Sequence, residues 1–137
     1  TFNKSISDLI HQEMTTIATN IAEAHNVEAN IEFGVYGSYP VTVNDPDLVS
    51  NYSKSLIEAS NGLFSSNISA STGAEDFSYF AQEVPGLYFW LGVNDVGVDS
   101  APGNHTPYFV VHDSALDKGV RAFVNLVSDY SKDQSPN

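Results

Sequence analysis

The sequence predicts an α/β chain in which amphipathic helices alternate with short strands. In four stretches the apolar residues recur at spacings of three and four, which is typical of helices with one apolar face. Between these stretches lie segments that alternate apolar and polar residues or run continuously apolar, as strands do. With 137 residues, of which 42% are hydrophobic, the chain is long enough and apolar enough to bury a core.

The first helix and the strand after it form one predicted piece. Residues 5–25 have a helical apolar stripe, Ser5 and Asp8 resemble a capping box, and Asn26 is a plausible stop. Residues 27–35 alternate strictly, which predicts a strand with one buried and one wet face. A helix that leads into such a strand indicates a two-layer α+β piece. The stripe of the helix consists of Ile6, Leu9, Ile10, Met14, Ile17, Ile21 and Ala24.

The second predicted helix begins at residues 44–46, where a capping side chain stands just before a proline. It ends at Asn61-Gly62, since both residue types suit a left-handed helix cap. The pattern changes character between residues 37 and 44, and this change is the predicted domain boundary.

Two strands and two helices complete the pattern. Residues 63–71 are weakly strand-like, 75–82 form a short helix, and 87–93 run continuously apolar like a strand buried on both faces. Residues 94–108 form a loop of a length that usually signals function or disorder. Asp113 can cap the last helix, which carries one apolar stripe of Leu116, Val120, Phe123, Val124, Val127 and Tyr130.

The charge of the chain argues against nucleic acid and membrane surfaces as partners. It has 17 acidic and 5 basic side chains, a formal net charge of -12, which repels phosphates and anionic lipids. No apolar run approaches the roughly 18 residues of a membrane-spanning helix. The absence of cysteine excludes disulfides and thiolate sites. We therefore expect a soluble protein, in either the cytoplasm or the periplasm.

His105 is the strongest candidate for chemistry. It follows Gly103-Asn104 and precedes Thr106-Pro107, so a stiff loop would fix the direction of its ring. A neutral imidazole is a common ligand of zinc, manganese and related ions. The alternative is a loop histidine that only hydrogen-bonds locally. One histidine does not make a metal site, because such a site needs three or more protein ligands.

Glu75 and Asp76 are adjacent at the start of the predicted short helix. Neighbouring helical side chains point about 100° apart, so at most one of the two faces a given site. One reading is that a carboxylate faces a cleft and supports a metal-bound water or a substrate group. The other is that it only stabilises the free backbone N–H groups of the first turn. His11 and His25 are read as exposed polar residues, and His112 as a surface or capping residue.

Three motifs, in order, resemble the C-terminal part of a known enzyme family. They are residues 73–80, Gly-Ala-Glu-Asp-Phe-Ser-Tyr-Phe; then Val84-Pro85-Gly86 with Phe89-x-Leu91-Gly92; and last Asn104-His105-Thr106-Pro107 before a capped helix. Residues 1–2 and 41–46 also look like segments of that family. It is the metallo-amidohydrolase family of hippurate hydrolase, bacterial N-acyl-amino-acid amidohydrolases and plant indoleacetyl-amino-acid hydrolases, which is zinc-peptidase-like and aminoacylase-type.

The resemblance implies a two-domain arrangement. The family has a catalytic α/β domain that holds two metal ions, interrupted by a smaller ferredoxin-like α+β lid that often forms a dimer contact. Residues 1–37 would be the second half of that lid or dimerisation domain, and 38–137 the C-terminal portion of the catalytic domain. The last metal ligand of the family falls on His105, and a site-lining segment falls on residues 73–77, with Ala74 in place of the usual serine.

The resemblance also implies that this chain is part of a larger enzyme. The family's other ligands and its general-base glutamate lie upstream of residue 1, so the chain alone should not hold the metal pair. In the intact enzyme, a zinc- or manganese-bound water would attack the acyl carbonyl of a small N-acyl amino acid or related amide. Two alternatives stay open: a non-catalytic dimerisation or binding module, and a small acidic structural domain whose His105 only braces its own loop.

Overall fold

The computed structural model describes residues 1–35, 37–94 and 101–134. Within these residues the chain forms four helices: α1 (Lys4–Ala24), α2 (Pro46–Ala59), α3 (Phe77–Glu83) and α4 (Asp113–Asp133). All four predicted helices are therefore confirmed. None of the helices in the described ranges is both long and apolar enough to cross a membrane.

Helix α1 begins one residue earlier than predicted, and a different side chain caps it. The Asn3 carboxamide accepts a hydrogen bond from the Ile6 N–H at 3.2 Å, so Asn3, not Ser5, is the cap. At the other end Asn26 has a φ of 54°, in the left-handed region. The N–H groups of Asn26 and Val27 donate to the carbonyls of Glu23 and Ala22, at 3.1 Å and 3.0 Å. Asn26 thus ends the helix in a Schellman motif.

Helix α2 has both of the termini that the sequence predicts. The Asp45 carboxylate accepts from the N–H groups of Asp47 and Leu48, at 3.0 Å and 2.9 Å, and a proline occupies the first turn. At the C-terminus Asn61 has a φ of 56°, and the Gly62 N–H donates to the Ile57 carbonyl at 2.9 Å. Asparagine occupies the left-handed position after α2, as it does after α1.

The predicted strands are not borne out in the described part of the chain. Residues 27–35, 63–71 and 87–93 form no strand there, so the predicted α/β class is confirmed only in its helices. A strand exists only when its N–H and C=O groups pair with a neighbouring strand. Strand-like patterning describes which faces of a segment are apolar, and it does not supply that neighbour.

The chain divides into two compact units. The first contains Thr1–Val43 and Ser69–Gly86, and the second contains Asn44–Ile68 and Leu87–Asn137. The boundary between residues 43 and 44 lies at the end of the stretch where the sequence pattern changes. The division into a lid part, 1–37, and a catalytic part, 38–137, stays a prediction.

The first unit contains α1 and α3, and it buries little of the α1 stripe. Ala22 is the buried residue of α1, and the His11 ring stacks on Phe33 with centroids 4.2 Å apart. Near α3, a Cβ added to Gly86 would lie 2.9 Å from the ring of Phe77, so a larger residue there would require that ring to shift. Most of the α1 stripe is 42% to 57% exposed: Ile6, Leu9, Ile10, Met14, Ile17 and Ile21.

The second unit is built on the contact between α2 and α4. Small residues of α4, Ala115, Gly119 and Ala122, are buried and recur at helical spacing. A Cβ added to Gly119 would lie 2.9 Å from Leu91 Cδ2, so this glycine lets the apolar segment 87–93 approach α4. The buried core consists of Leu56, Ala59 and Ala122, with Phe64, Leu87, Phe89 and Leu126 packed against it.

The predicted apolar stripe of α4 lies on a different face from this packed one. An apolar stripe usually faces a core. Here its residues are 50% to 64% exposed, whereas Ala115, Gly119 and Ala122 are the residues that α4 buries. The stripe consists of Leu116, Val120, Phe123, Val124, Val127 and Tyr130.

Asn44 ties the start of α2 to segment 87–93. Its carboxamide donates to the Tyr88 carbonyl at 2.8 Å and accepts from the Tyr88 N–H at 2.7 Å. One side chain therefore satisfies both main-chain groups of Tyr88, as a neighbouring strand would. Because the groups are partly buried, leaving either one unpaired would be costly.

A polar network joins the other end of the α2–α4 pair. The Ser55 hydroxyl donates to Asp129 at 2.7 Å, and the Tyr52 hydroxyl donates to Asp133 at 2.8 Å. The hydrogen bond from Lys132, with a smaller contribution from that of Ser55, holds the pKa of Asp129 below its ordinary value. The hydrogen bond to Asp133 raises the pKa of Tyr52. The network sets the pairing of the two helices at their polar end.

We expect Asn44→Ala to lower the free energy of unfolding of the chain by about 1–2 kcal/mol, because it removes the two partly buried hydrogen bonds between the Asn44 carboxamide and the Tyr88 main chain. The measurement is urea denaturation followed through Trp90, the single tryptophan. Asn51→Ala, an exposed asparagine of α2, is the matched control, and we expect it to stay within about 0.5 kcal/mol of wild type. Equal stability of the two variants would contradict the role assigned to Asn44.

We expect the stabilisation from Asp129 to disappear in acid. Its folded-state pKa is lowered from an ordinary value of 3.8, so its contribution is full above that value and is lost as the pH falls through the folded pKa. Urea midpoints of wild type and Asp129→Asn should differ at about pH 6 and converge towards about pH 2. A difference that stays constant over this range would show that the carboxylate charge is not involved.

Candidate functional site

His105 lies in an exposed turn with an uncommon backbone conformation. Its φ is 69°, in the left-handed region that residues with a Cβ seldom adopt. Two other non-glycine residues in the described part of the chain, Asn26 and Asn61, also have a positive φ, and both end helices, whereas His105 is in a loop. A left-handed non-glycine residue away from a helix end is a reason to look for function.

The turn around His105 is held by two hydrogen bonds of Thr106, one donated and one accepted. The Thr106 hydroxyl donates to the Gly103 carbonyl at 2.9 Å, across His105. The Thr106 carbonyl accepts from the Phe109 N–H at 3.2 Å. The His105 ring is exposed, and its Nε2 lies 3.3 Å from the Asn104 side-chain nitrogen. This contact is to the adjacent side chain, so it is a local one, as the alternative interpretation of His105 predicts, and it does not involve the backbone.

The C-terminal end of the His105 loop is anchored to the end of segment 87–93. The His112 N–H donates to the Val93 carbonyl at 2.9 Å, which brings the end of segment 87–93 to the start of α4. The His112 ring nitrogen Nδ1 accepts from the Ser114 N–H at 3.4 Å and also lies 2.9 Å from the Ser114 hydroxyl. His112 is thus the cap of α4, as one reading predicted, and Asp113 is its first helical residue. Residues 95–100 of the predicted loop lie outside the described residues.

Glu75 and Asp76 stand just before α3, not within its first turn as predicted. The Glu75 carboxylate accepts from the Phe77 N–H at 3.1 Å, which is the helix-stabilising role that the sequence left open. Asp76 is exposed and makes no capping hydrogen bond. The Ser78 hydroxyl, fully buried, donates to the Glu75 carbonyl at 2.7 Å and fixes this start of the helix.

The predicted site residues fall in two units. Glu75 and Asp76 belong to the first unit, and His105 to the second. Their assembly into one site stays a prediction. Among the described residues, no group of three or more His, Cys, Asp or Glu side chains could hold a metal ion. His105 has the chemistry and the exposure of one ligand, and the described residues do not complete a centre around it.

Sequence reasoning missed the positions that shape the turn. It singled out the imidazole but gave no role to Asn104 or Thr106, which contact the ring and close the turn. The signal was present, because asparagine and threonine side chains often hydrogen-bond to nearby groups in turns. The left-handed conformation of His105 carried no comparable signal, since glycine is the usual residue there.

Comparison with known proteins bears on this arrangement. The profile of peptidase family M20/M25/M40 matches residues 5–129 of the chain. The chain belongs to this family. The match includes Glu75, Asp76 and His105, and it covers parts of both units. No solved structure matches the chain.

Relatives of this M20/M25/M40 chain include hydrolases of different names. The chain is 30% identical over 116 residues to an uncharacterized hydrolase of Sinorhizobium fredii, covering 85% of the chain and 28% of the relative. It is 32% identical to the N-acetyldiaminopimelate deacetylase of Lactiplantibacillus plantarum, covering 87% and 29%. It is 30% identical to thermostable carboxypeptidase 2 of Saccharolobus solfataricus, covering 86% and 29%. The chain thus spans under a third of the length of these three relatives.

We expect His105→Ala to be less stable than His105→Gly by about 1 kcal/mol, because alanine is strained at a positive φ and glycine is not. The imidazole is exposed, so both variants lose little packing. Urea denaturation of the two variants measures the difference. If alanine proved as stable as glycine, the left-handed conformation of residue 105 would be refuted.

Proposed function

We propose that this chain is part of a metal-dependent amidohydrolase of the aminoacylase type, which cleaves the amide bond of N-acyl amino acids or related small amides. The observation that carries the proposal is His105, an exposed imidazole held in a left-handed turn. The motif resemblance assigns to His105 the role of the family's last metal ligand. Membership of family M20/M25/M40 supports hydrolase chemistry. The order of the three motifs favours the hippurate hydrolase branch.

In this proposal the chain's own residues bind and orient. His105 would hold one of two divalent ions, zinc or manganese, through a ring nitrogen. The ions, when bound, would polarise the acyl carbonyl and supply a nucleophilic water at neutral pH. Glu75 keeps its bond to the Phe77 N–H and shapes the start of α3. Asp76, exposed beside it, is the better candidate for facing substrate. The inclusion of both acids in the site rests on the motif resemblance.

Two features support the proposal that the chain functions within a longer protein. The relatives are about three times as long as the matched stretch, which covers 28% to 34% of the first eight. The large apolar residues of the α1 and α4 stripes are 42% to 64% exposed, so each stripe offers a surface for further chain to cover. The remaining metal ligands and the general base would come from that additional chain.

The substrate and assembly are proposed at the level of class. The names of two relatives, a deacetylase and a carboxypeptidase, both refer to hydrolysis of amide-type bonds. A small N-acyl amino acid or peptide-like amide fits that shared chemistry. The net charge of -12 disfavours nucleic acid and membrane surfaces as partners. A homodimer through residues 1–37 is the proposed assembly.

A non-catalytic dimerisation module is the second candidate function. The exposed stripe of α1 favours it, because an apolar helical face of this length can pair with a second copy. Light scattering of the chain over a range of concentrations would detect such a dimer. A dimer combined with no amide hydrolysis by the longer protein would favour this second function over the first.

We expect His105→Ala in the full-length protein to lower kcat/KM for N-acyl amino acids at least about 100-fold and to reduce bound metal. Hippurate, N-acetyl amino acids and a dipeptide, assayed with zinc and with manganese, would separate the substrate classes. His25→Ala, an exposed histidine at the end of α1, is the control that should keep wild-type rates. Wild-type rates and metal content in His105→Ala would overturn the assignment.

A further inference from the structure

Thr106 occupies a special place in the turn that carries His105. Its hydroxyl donates to the Gly103 carbonyl at 2.9 Å, so a side chain closes the turn across His105. Its carbonyl accepts from the Phe109 N–H at 3.2 Å and so closes a second turn that contains Pro107. Thr106 therefore ends a first turn, residues 103–106, and begins a second, residues 106–109.

The two turns constrain the backbone of His105 through Thr106, the residue that follows it. Pro107 fixes its own φ near about −65° and restricts the residue before it to extended conformations. Thr106 is thus held in place by its neighbour, and its hydroxyl can hold the Gly103 carbonyl at a set distance. His105 lies between the two bonded positions with a φ of 69°. A left-handed conformation costs roughly 1–2 kcal/mol, so it persists only where surrounding bonds maintain it.

We propose that Thr106 is a positioning residue for the His105 imidazole, acting through the hydrogen bond of its hydroxyl to the Gly103 carbonyl. The inference rests on the proposed function, since it concerns how His105 is presented to a metal ion. The hydroxyl group of Thr106 does the positioning, because it makes the hydrogen bond and the methyl group makes none. Serine should therefore substitute for threonine, and valine, which has the same shape without the hydroxyl, should not.

The first experiment uses the 137-residue chain and no metal. Backbone ¹³C chemical shifts of residues 103–109 report whether His105 stays in the left-handed region. We expect Thr106→Ser and wild type to share the left-handed signature and Thr106→Val to lose it. Thr19→Val, an exposed threonine of α1, is the matched control for removal of a hydroxyl. If Thr106→Val keeps the signature, the inference is overturned, whatever the protein's activity.

The second experiment measures zinc affinity and steady-state kinetics of the full-length protein. We expect Thr106→Val to weaken zinc binding about 10-fold and to lower kcat with little change in KM, while Thr106→Ser stays within about 3-fold of wild type. The effect of Thr106→Val should vanish in a His105→Ala background, because both changes act on one ligand. Equal zinc affinity of the valine and serine variants, with His105→Ala impaired, would overturn this inference alone. Unimpaired His105→Ala would instead overturn the proposed function.

Discussion

The second unit depends on two hydrogen bonds between the Asn44 side chain and the main chain of Tyr88. Asn44 stands immediately before the cap of α2 and bonds both main-chain groups of Tyr88, so the start of α2 fixes the position of segment 87–93. That segment packs on α4 at Gly119, and its end at Val93 accepts the N–H of His112, the cap of α4. Each end of the segment is thus hydrogen-bonded to the residues at the start of a helix. The bond from His112 to Val93 also joins the two ends of the loop that contains His105.

The parts of the fold that sequence predicts well are those decided by near neighbours. Asp45 caps α2 because its carboxylate reaches N–H groups two and three residues ahead, and Asn61 ends it because asparagine tolerates a positive φ. His105 was identified for a similar reason, since its stiff flanking residues are adjacent in the sequence. The competing cap assignments, Ser5 and Asp113, failed by one or two residues, which is the usual uncertainty of a helix end.

The parts that sequence did not predict depend on distant residues. Asn44 and Tyr88 are 44 positions apart, and nothing in either local pattern couples them. The hydrophobic stripe of α4 marks an apolar face, but α4 buries small residues instead: Ala122 packs with Leu56 and Ala59 of α2, and Gly119 lies against Leu91. Strand patterning in segments such as 87–93 likewise does not specify a partner. Whether the carboxylates of Glu75 and Asp76 meet the imidazole of His105 is also a long-range question, and local patterns do not answer it.

The central claim is that His105 presents its ring to a metal ion. The most direct test is NMR of the full-length protein loaded with ¹¹³Cd, with the histidine side chains labelled with ¹⁵N. The account predicts a resolved scalar coupling between ¹¹³Cd and a ring nitrogen of His105, because a coordinate bond transmits it. A cadmium-loaded protein in which other histidines couple to the metal and His105 does not would contradict the account.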